Sequence, residues 1–198
     1  GAYALLRNMP AFQVVKLPEQ ISFEEGAAIM LKGLTAWYLL RQTYRVQAGE
    51  TILFHAAAGG VGLIATQWAK ALGVKVIGTA SSAEKIALAK AHGAWEMINY
   101  RQEDVAARVL ELTQGDKVPV VYDGGGKDTF ETSLNCLKPR GLLVSFGNAS
   151  GAVTGVNLGI LASKGSLYVT RPTVGAYVNT RELMQQAADE LFEQVLAG

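Results

Sequence analysis

From Thr51 onward, short apolar runs alternate with longer stretches of helical pattern. Helices are predicted to begin near Gly60, Ala83, Glu103 and Asp128, and the apolar runs between and around them are TILFH, VKVIG, MIN, VPVVYD, LLVSFG and SLYVT. Most of these runs lack the polar and apolar alternation of a half-exposed strand, which predicts strands buried on both faces. Strands that alternate with helices build a parallel sheet with right-handed crossovers. We therefore predict an α/β fold with a doubly wound, six-stranded Rossmann sheet in the order 3-2-1-4-5-6.

The segments on either side of this region have different patterns. Residues 1–20 are predicted to be extended. Ser22 lies three residues before Glu25, which is a capping-box pattern for a helix, and a second helix is predicted over about residues 34–43. Residues 182–196 predict a final helix. Because the chain starts without Met and neither end completes a recognisable unit, we expect it to be part of a longer protein.

Composition excludes several classes of protein. The chain has 198 residues, of which 49% are hydrophobic, and this is enough for one full core. The 18 basic and 17 acidic side chains form no long basic run, so we expect neither a nucleic-acid nor a membrane surface. No apolar run approaches the ~20 residues of a membrane span. The single cysteine, Cys136, excludes an intramolecular disulfide and a multi-cysteine metal site. We expect it to be buried, in a soluble protein of the cytoplasm.

The stretch HAAAGGVG, after the first predicted strand, resembles a phosphate-binding turn. Against the pattern G-x-G-x-x-G, the three fixed positions hold Ala57, Gly59 and Gly62. A pyrophosphate approaches the backbone closely at a helix N-terminus, where free N–H groups and the helix dipole attract it. A side chain at Gly59 would block that approach, and Gly62 lets the helix pack closely on the strand. The alternative is a tight turn that binds nothing, but the strand–helix–strand context favours a dinucleotide.

The end of the second strand lacks the acidic residue with which NAD-binding sites usually hold the ribose hydroxyls. Ala80 is neutral, Ser81 and Ser82 follow it, and Lys85 comes shortly after. A carboxylate would repel a 2′-phosphate, whereas hydroxyls and a lysine bind it through charge-assisted hydrogen bonds. This favours NADP(H) over NAD(H). Alternatively, Ser81 and Glu84 form a capping box, and Lys85 is only a solvated side chain.

Several stretches together resemble a known family. They are LKGLTAWYLL, ILFHAAAGGVGLIATQWAKALG, INYRQED, VVYDGGG, GLLVSFGNASGAVTGVNLGIL and GSLYVTRP. They are similar to the bacterial NADPH:quinone oxidoreductases, in the zinc-free, zeta-crystallin-like branch of the medium-chain dehydrogenases/reductases. The resemblance implies a Rossmann domain inserted into a GroES-like catalytic domain. Residues 1–30 would then be a residual flank of the catalytic domain, 31–180 the NADP(H)-binding domain, and 181–198 the start of the C-terminal return helix.

The resemblance also implies which residues contact the cofactor, NADPH. They are Ala58, Gly59, Gly60 and Val61 for the pyrophosphate; Ser81 and Lys85 for the 2′-phosphate; Tyr100 for the adenosine; Gly147 and Asn148 at the carboxyl end of a strand; Val169, Thr170 and Arg171 near the nicotinamide; and Thr35, at the start of its helix, for the carboxamide. We predict no metal ligand, and no catalytic residue in this chain. In the family, a tyrosine and an asparagine that line the substrate cleft come from the N-terminal domain, which we expect to lie outside this chain.

Several of these side chains could instead have a structural role. The Thr35 hydroxyl could bond to a carbonyl of its own helix, and Tyr100 could be an ordinary aromatic at the sheet edge. Asn148 could serve a turn, and Arg171 could form a structural ion pair. Asp123 is predicted to be a turn residue at a strand end rather than an acid catalyst.

The implied activity is hydride transfer from NADPH to a quinone or a related conjugated carbonyl, without zinc, and one-electron transfer stays open. Two alternatives remain, namely an NADPH-dependent 2-alkenal or enoyl reductase of the same superfamily and a non-catalytic NADPH-binding protein. A short-chain dehydrogenase is excluded, because no Tyr-x-x-x-Lys pair follows the fourth strand: Tyr122 is followed at that spacing by Gly126, and Tyr168 by Pro172.

Three further residue predictions concern the sheet edge and the two histidines. The strand near Leu167 and Thr170 is predicted to lie at the sheet edge, where pairing with a second copy would form a homodimer. His55 is predicted to be a hydrogen-bonded core or rim residue. His92, before Gly93, is predicted to be a polar cap at a helix C-terminus.

Overall fold

The strands form a single parallel sheet in the computed structural model, which describes residues 3–198. The strands are β1 (Thr51–Phe54), β2 (Lys75–Ala80), β3 (Glu96–Asn99), β4 (Val118–Asp123), β5 (Leu137–Ser145) and β6 (Tyr168–Thr170). Their order is β3-β2-β1-β4-β5-β6, and every neighbouring pair is parallel. The predicted doubly wound sheet and its strand order are therefore confirmed.

Helices cover both faces of this sheet. They are α1 (Phe23–Tyr38), α2 (Gly60–Ala71), α3 (Ala83–Ala91), α4 (Val105–Leu112), α5 (Phe130–Cys136), α6 (Gly159–Ser163), α7 (Val174–Tyr177) and α8 (Arg181–Ala197). The crossover helices begin within two residues of the predicted starts. The short helices α6 and α7 were not predicted from the sequence.

The prediction of a separate second helix over residues 34–43 is wrong. Helix α1 runs without a break to Tyr38 and continues as a π-helical turn over Leu39–Thr43. Gly33 lies inside the helix rather than at its end. Its missing side chain leaves the space in which α8, from the other end of the chain, packs against α1. A Cβ at Gly33 would lie 2.5 Å from Cδ1 of Leu191 in α8.

The start of the chain is less regular than the rest. Of the predicted extended stretch 1–20, residues 1 and 2 lie outside the described residues. Within the remainder, Ala11–Gln13 form a 3₁₀ helix rather than extended chain. The capping box before α1 is confirmed, since the Glu25 amide donates to Ser22 Oγ at 3.2 Å and the Ser22 amide donates to Glu25 Oε2 at 2.8 Å.

The core lies on the two faces of the sheet. One cluster packs helices α1, α2 and α8 against side chains such as Phe54 and Tyr122. The other packs α4 and α5 against residues such as Leu53 and Val121. All six residues of β4 are buried, as the sequence pattern predicts for a central strand. Across residues 3–198, none of the helices combines the length and apolar character that a membrane crossing needs.

Candidate functional site

The N-terminus of α2 faces the carboxyl edge of the sheet with unpaired backbone donors. Four other helices are capped by a side chain at their N-terminus: α1 by Ser22, α3 by Ser82, α4 by Asp104 and α8 by Thr180. The N-cap of α2 is a glycine, which has no side chain to offer. Within residues 3–198, three successive amides at this end donate to no other group, namely those of Gly60, Val61 and Gly62. Together with the helix dipole, they make this end of α2 suited to an anion.

Two glycines allow this turn to close. A Cβ at Gly62 would lie 2.6 Å from the carbonyl oxygens of both Ala56 and Ala57. Gly62 was predicted to let the helix pack closely on the strand, and in the structure its missing side chain lets α2 approach the turn that follows β1. A Cβ at Gly59 would lie 3.1 Å from the Ala56 oxygen, so Gly59 tolerates a side chain better than Gly62 does.

A groove of about 150 Å³ lies beside the turn and brings together five of the predicted cofactor contacts. They are Ala58, Gly59, Ser81, Lys85 and Tyr100. Among the described residues, none of those that line this groove is acidic. The predicted capping box of Ser81 with Glu84 is wrong, because Ser82 is the N-cap of α3 and its hydroxyl accepts from the Lys85 amide at 3.4 Å. The Ser81 hydroxyl therefore stays available to a ligand in the groove.

A larger cleft of about 520 Å³ continues from this groove. The two share Ala56, Thr79 and Tyr100. Tyr100 is 51% exposed, so it forms part of the cleft wall rather than of the core. The far wall comes from the β4–α5 turn, including Gly125 and Thr129. The groove and the cleft thus follow the carboxyl ends of β1, β2, β3 and β4, where ligands of doubly wound sheets bind.

A third hollow, of about 330 Å³, lies at the carboxyl end of β5. It contains three predicted contacts, Asn148, Val169 and Arg171, among largely apolar neighbours. The Arg171 guanidinium donates to the Ser145 carbonyl at 2.8 Å. It forms no ion pair within residues 3–198, so that alternative for Arg171 is wrong.

Three other predicted contacts, Gly147, Thr170 and Thr35, line none of these three hollows. Gly147 packs tightly on the β4–α5 turn, since a Cβ there would lie 2.5 Å from the Gly124 oxygen. Thr170 is in β6 and pairs with Val144. Thr35 lies in the last part of α1, so its predicted place at the start of a helix is wrong. Its hydroxyl donates to the Leu31 carbonyl at 2.7 Å, which is the back-bond considered from the sequence.

A buried polar cluster lies beneath the larger cleft. Asp123, at the end of β4, is 1% exposed and accepts hydrogen bonds from the amides of Gly125 and Gly126 and from the hydroxyls of Thr129 and Ser133. The prediction that it serves a turn is confirmed. His55 is 5% exposed, and it contacts Ser133 and Thr79. Burial lowers the pKa of His55, although the nearby Asp123 carboxylate opposes this.

Three polar residues near the cleft, Thr79, Thr129 and Ser133, were not predicted from the sequence. Thr79 could have been found, because it is a polar residue in the apolar run that follows Lys75 in β2. Ser133 had no such signal, since it lies 78 positions from His55 in the sequence.

His92 and Cys136 are as predicted. His92 Nδ1 lies 2.8 Å from the Leu88 carbonyl, and burial raises the pKa of the Cys136 thiol to about 12. Among residues 3–198, no three His, Cys, Asp or Glu side chains lie together in a group that could hold a metal ion.

Comparison with known proteins agrees with this geometry. The family model described as zinc-binding dehydrogenase matches residues 60–193. The whole chain is 67% identical to 61% of a quinone oxidoreductase from Pseudomonas aeruginosa, and 43% identical to 60% of a 2-haloacrylate reductase from Burkholderia. A crystal structure of the Escherichia coli quinone oxidoreductase complexed with NADPH superimposes with a TM-score of 0.92 at 61% identity, covering 93% of this chain and 56% of that one. The chain thus spans about three fifths of the length of these curated relatives.

Proposed function

The chain belongs to the zinc-binding dehydrogenase family and is similar along its whole length to bacterial quinone oxidoreductases, and we propose that it is the NADPH-binding part of an enzyme that reduces a quinone. One observation carries the choice of cofactor. A groove that contains Ser81 and Lys85, and no carboxylate from residues 3–198, lies directly beside the unpaired amides of α2. This arrangement offers two adjacent anion sites, as a pyrophosphate and a 2′-phosphate require.

The residues of the chain divide the cofactor between them. The amides of Gly60, Val61 and Gly62 donate to the pyrophosphate, while Ser81 and Lys85 bind the 2′-phosphate. Tyr100 covers the adenosine at the junction of the groove and the larger cleft. At the other end, the apolar hollow that contains Asn148, Val169 and Arg171 holds the nicotinamide. Thr35, Gly147 and Thr170 remain proposed contacts on the resemblance alone.

When bound, NADPH supplies the hydride, and the protein's task is to position and shield it. The lining of the hollow at β5 supports that task. Val153, Leu158 and Leu161 contribute apolar surface, and the Arg171 guanidinium is held by the Ser145 carbonyl. Such a surface excludes water from one side of a ring, while the acceptor approaches from the part of the protein outside this chain.

Other features of the whole protein are also proposed here. Residues 1–30 and 181–198 are assigned to the catalytic domain and residues 31–180 to the cofactor domain, and we expect activity without zinc, in the cytoplasm. We expect a homodimer that forms through β6, because β6 lies at the sheet edge and Tyr168 is 61% exposed. An exposed edge strand favours pairing with another chain.

Calorimetric titration of the full-length protein with NADPH and with NADH tests the cofactor assignment. Charge-assisted hydrogen bonds contribute about 1.5–3 kcal/mol, so Lys85→Gln is expected to weaken NADPH binding about tenfold or more and to leave NADH binding unchanged. Lys138→Gln is the matched control, since it removes the same charge from an exposed site at the amino end of β5. Equal affinity of the unaltered protein for NADPH and NADH would refute the role of Ser81 and Lys85.

The 2-haloacrylate reductase relative supports a second candidate, reduction of a carbon–carbon double bond conjugated to a carbonyl or carboxylate. NADPH oxidation by the full-length protein with 1,4-benzoquinone, with 2-chloroacrylate and with a 2-alkenal separates the two. We expect the highest kcat/KM with the quinone. The reverse order would favour the second candidate, and no turnover of any acceptor would favour a non-catalytic NADPH-binding protein.

A further inference from the structure

Hydrogen bonds connect the two turns that border the larger cleft. They run from the Ala56 amide to Thr79 Oγ1 (3.2 Å), from Thr79 Oγ1 to His55 Nδ1 (3.1 Å), from His55 Nε2 to Ser133 Oγ (3.1 Å), and from Ser133 Oγ to Asp123 Oδ2 (2.9 Å). All four residues that contribute side chains are buried, and none is more than 5% exposed. Ala56 begins the turn into α2, and Asp123 begins the turn into α5.

The two ends of the series, the Asp123 carboxylate and the Ala56 amide, decide which group donates in each hydrogen bond. An ionised carboxylate only accepts, so the Ser133 hydroxyl proton points to Asp123. Ser133 Oγ must then accept from His55, which places a proton on Nε2. At the other end, the Ala56 amide donates to Thr79 Oγ1, so the proton of that hydroxyl is free to point to His55 Nδ1. This nitrogen is consequently an acceptor without a proton.

Each hydrogen of the series therefore has a partner when His55 is neutral and protonated on Nε2. A proton on Nδ1 would turn the imidazole into a donor towards Thr79. The Thr79 hydroxyl proton would then have no acceptor within residues 3–198, because its oxygen contacts only His55 and the Ala56 amide there. Burial also lowers the pKa of His55 from its ordinary value, which favours the neutral form.

We propose that His55 is a positioning residue for the nucleotide, which in its Nε2-protonated form fixes Ala56 through Thr79 and couples the glycine turn to the β4–α5 turn. Ala56 has a φ of 54°, an unusual value for a residue with a side chain. Its carbonyl accepts from the Gly59 amide at 2.8 Å. Thr79 therefore holds the amide of the residue whose carbonyl closes the anion-binding turn.

The other end of the series has the same effect on the opposite wall. The carboxylate that accepts from Ser133 also accepts from the amides of Gly125 and Gly126, at 2.7 and 3.2 Å. His55 thus sets the spacing of two walls that border one cleft. This inference rests on the proposed nucleotide binding and assigns a role to a side chain that is separated from the ligand by other residues.

Two substitutions separate the halves of the series. In His55→Asn, the side-chain oxygen reaches about as far as Nδ1 does, so the acceptor for Thr79 is kept and the donor to Ser133 is lost. In His55→Gln, the longer amide reaches Ser133, and the acceptor for Thr79 is lost. We expect both variants of the full-length protein to lose similar stability. His55→Gln should bind NADPH about tenfold more weakly than His55→Asn, because only the Thr79 half of the series reaches Ala56.

Imidazole ¹H–¹⁵N correlation spectra of the unaltered protein provide an independent readout, and the signals that are missing in His55→Asn are assigned to His55. We expect the tautomer with its proton on Nε2. A proton on Nδ1, or equal NADPH affinities of the Asn and Gln variants, would overturn the inference while leaving NADPH binding intact. If neither His55 variant folds, Thr79→Val should lose NADPH affinity and Thr79→Ser should retain it, and equal affinities of that pair would overturn it too. Failure of the unaltered protein to bind NADPH would instead remove the proposed function, and this inference with it.

Discussion

Replacement of Gly62 by alanine is the most direct structural perturbation of the glycine turn. The added Cβ would lie 2.6 Å from two carbonyl oxygens and 2.7 Å from the carbonyl carbon of Ala57. Ordinary contact begins at 3.4 Å, and the opposing atoms are backbone rather than the end of a flexible side chain. The helix and the turn must therefore move apart by several tenths of an ångström.

The size of the effect follows from two opposing terms. Overpacking costs about 1–3 kcal/mol, and a contact with rigid backbone belongs at the upper end of that range. Alanine recovers about 1 kcal/mol through its higher helix propensity. We therefore expect the free energy of unfolding to fall by about 2 kcal/mol. We also expect NADPH affinity to fall by tenfold or more, since the same movement displaces the three unpaired amides.

Chemical denaturation and calorimetry of the full-length protein measure these two quantities. Gly175→Ala is the matched control, because a Cβ at this helical glycine would meet none of the described residues within 4 Å and its φ is not positive. That variant should equal the unaltered protein or exceed it slightly in stability. If Gly62→Ala also retained full stability and NADPH affinity, the close approach of α2 to the turn would not matter, and the role given to this glycine would be wrong.

Three further predictions concern buried groups. The pKa of His55 in the folded state lies below its ordinary value of 6.5, so the unfolded chain binds more protons than the folded chain just below that pH. The free energy of unfolding should therefore fall as the pH drops through 6.5, by at most about 1.4 kcal/mol per pH unit. The difference in slope between the unaltered protein and His55→Asn in denaturant titrations at pH 5 to 8 isolates this contribution, and identical slopes would contradict it. Asp123→Asn turns one acceptor into a donor that faces other donors, so we expect the free energy of unfolding to fall by about 2–4 kcal/mol. Asp116→Asn, at an exposed position, is the control and should change it little. A loss below about 0.5 kcal/mol for Asp123→Asn would mean that the turn does not need the carboxylate. The Cys136 thiol has a pKa raised to about 12 and no exposed surface. We therefore expect it to react with a disulfide reagent only after denaturation, with Cys136→Ala as the control. Fast labelling of the native protein would show that α5 opens.

Much of the fold could be predicted because its signals are local. An apolar run such as VPVVYD and the glycines of the turn indicate strand and turn without knowledge of distant residues. The errors arise where a distant contact decides. Gly33 looks like a break between helices until Leu191, from the other end of the chain, is packed against it. Likewise, β5 begins at Leu137 rather than at the apolar run near 142, because Leu137 pairs with Val118 before a shift of register.

In the candidate site, some features could be read from neighbouring residues in the sequence and others could not. The groove residues Ser81 and Lys85 lie near one another in the sequence and were identified from it. The choice between Ser81 and Ser82 as the helix cap was missed, because it depends on the extended backbone of Ser82 rather than on residue type. The polar cluster around His55 joins residues from β1, β2, β4 and α5, and only the assembled sheet brings them together.

The unpaired N-terminus of α2 has a thermodynamic consequence. A helix that lacks a cap of its own has a first turn that opens more readily than those of its capped neighbours. An anion that accepts hydrogen bonds from that turn completes the helix, so its binding energy is also local folding energy. The domain would then be least rigid where the ligand enters and would gain order there as the ligand arrives, and ligand concentration would control its resistance to proteolysis as well as its occupancy.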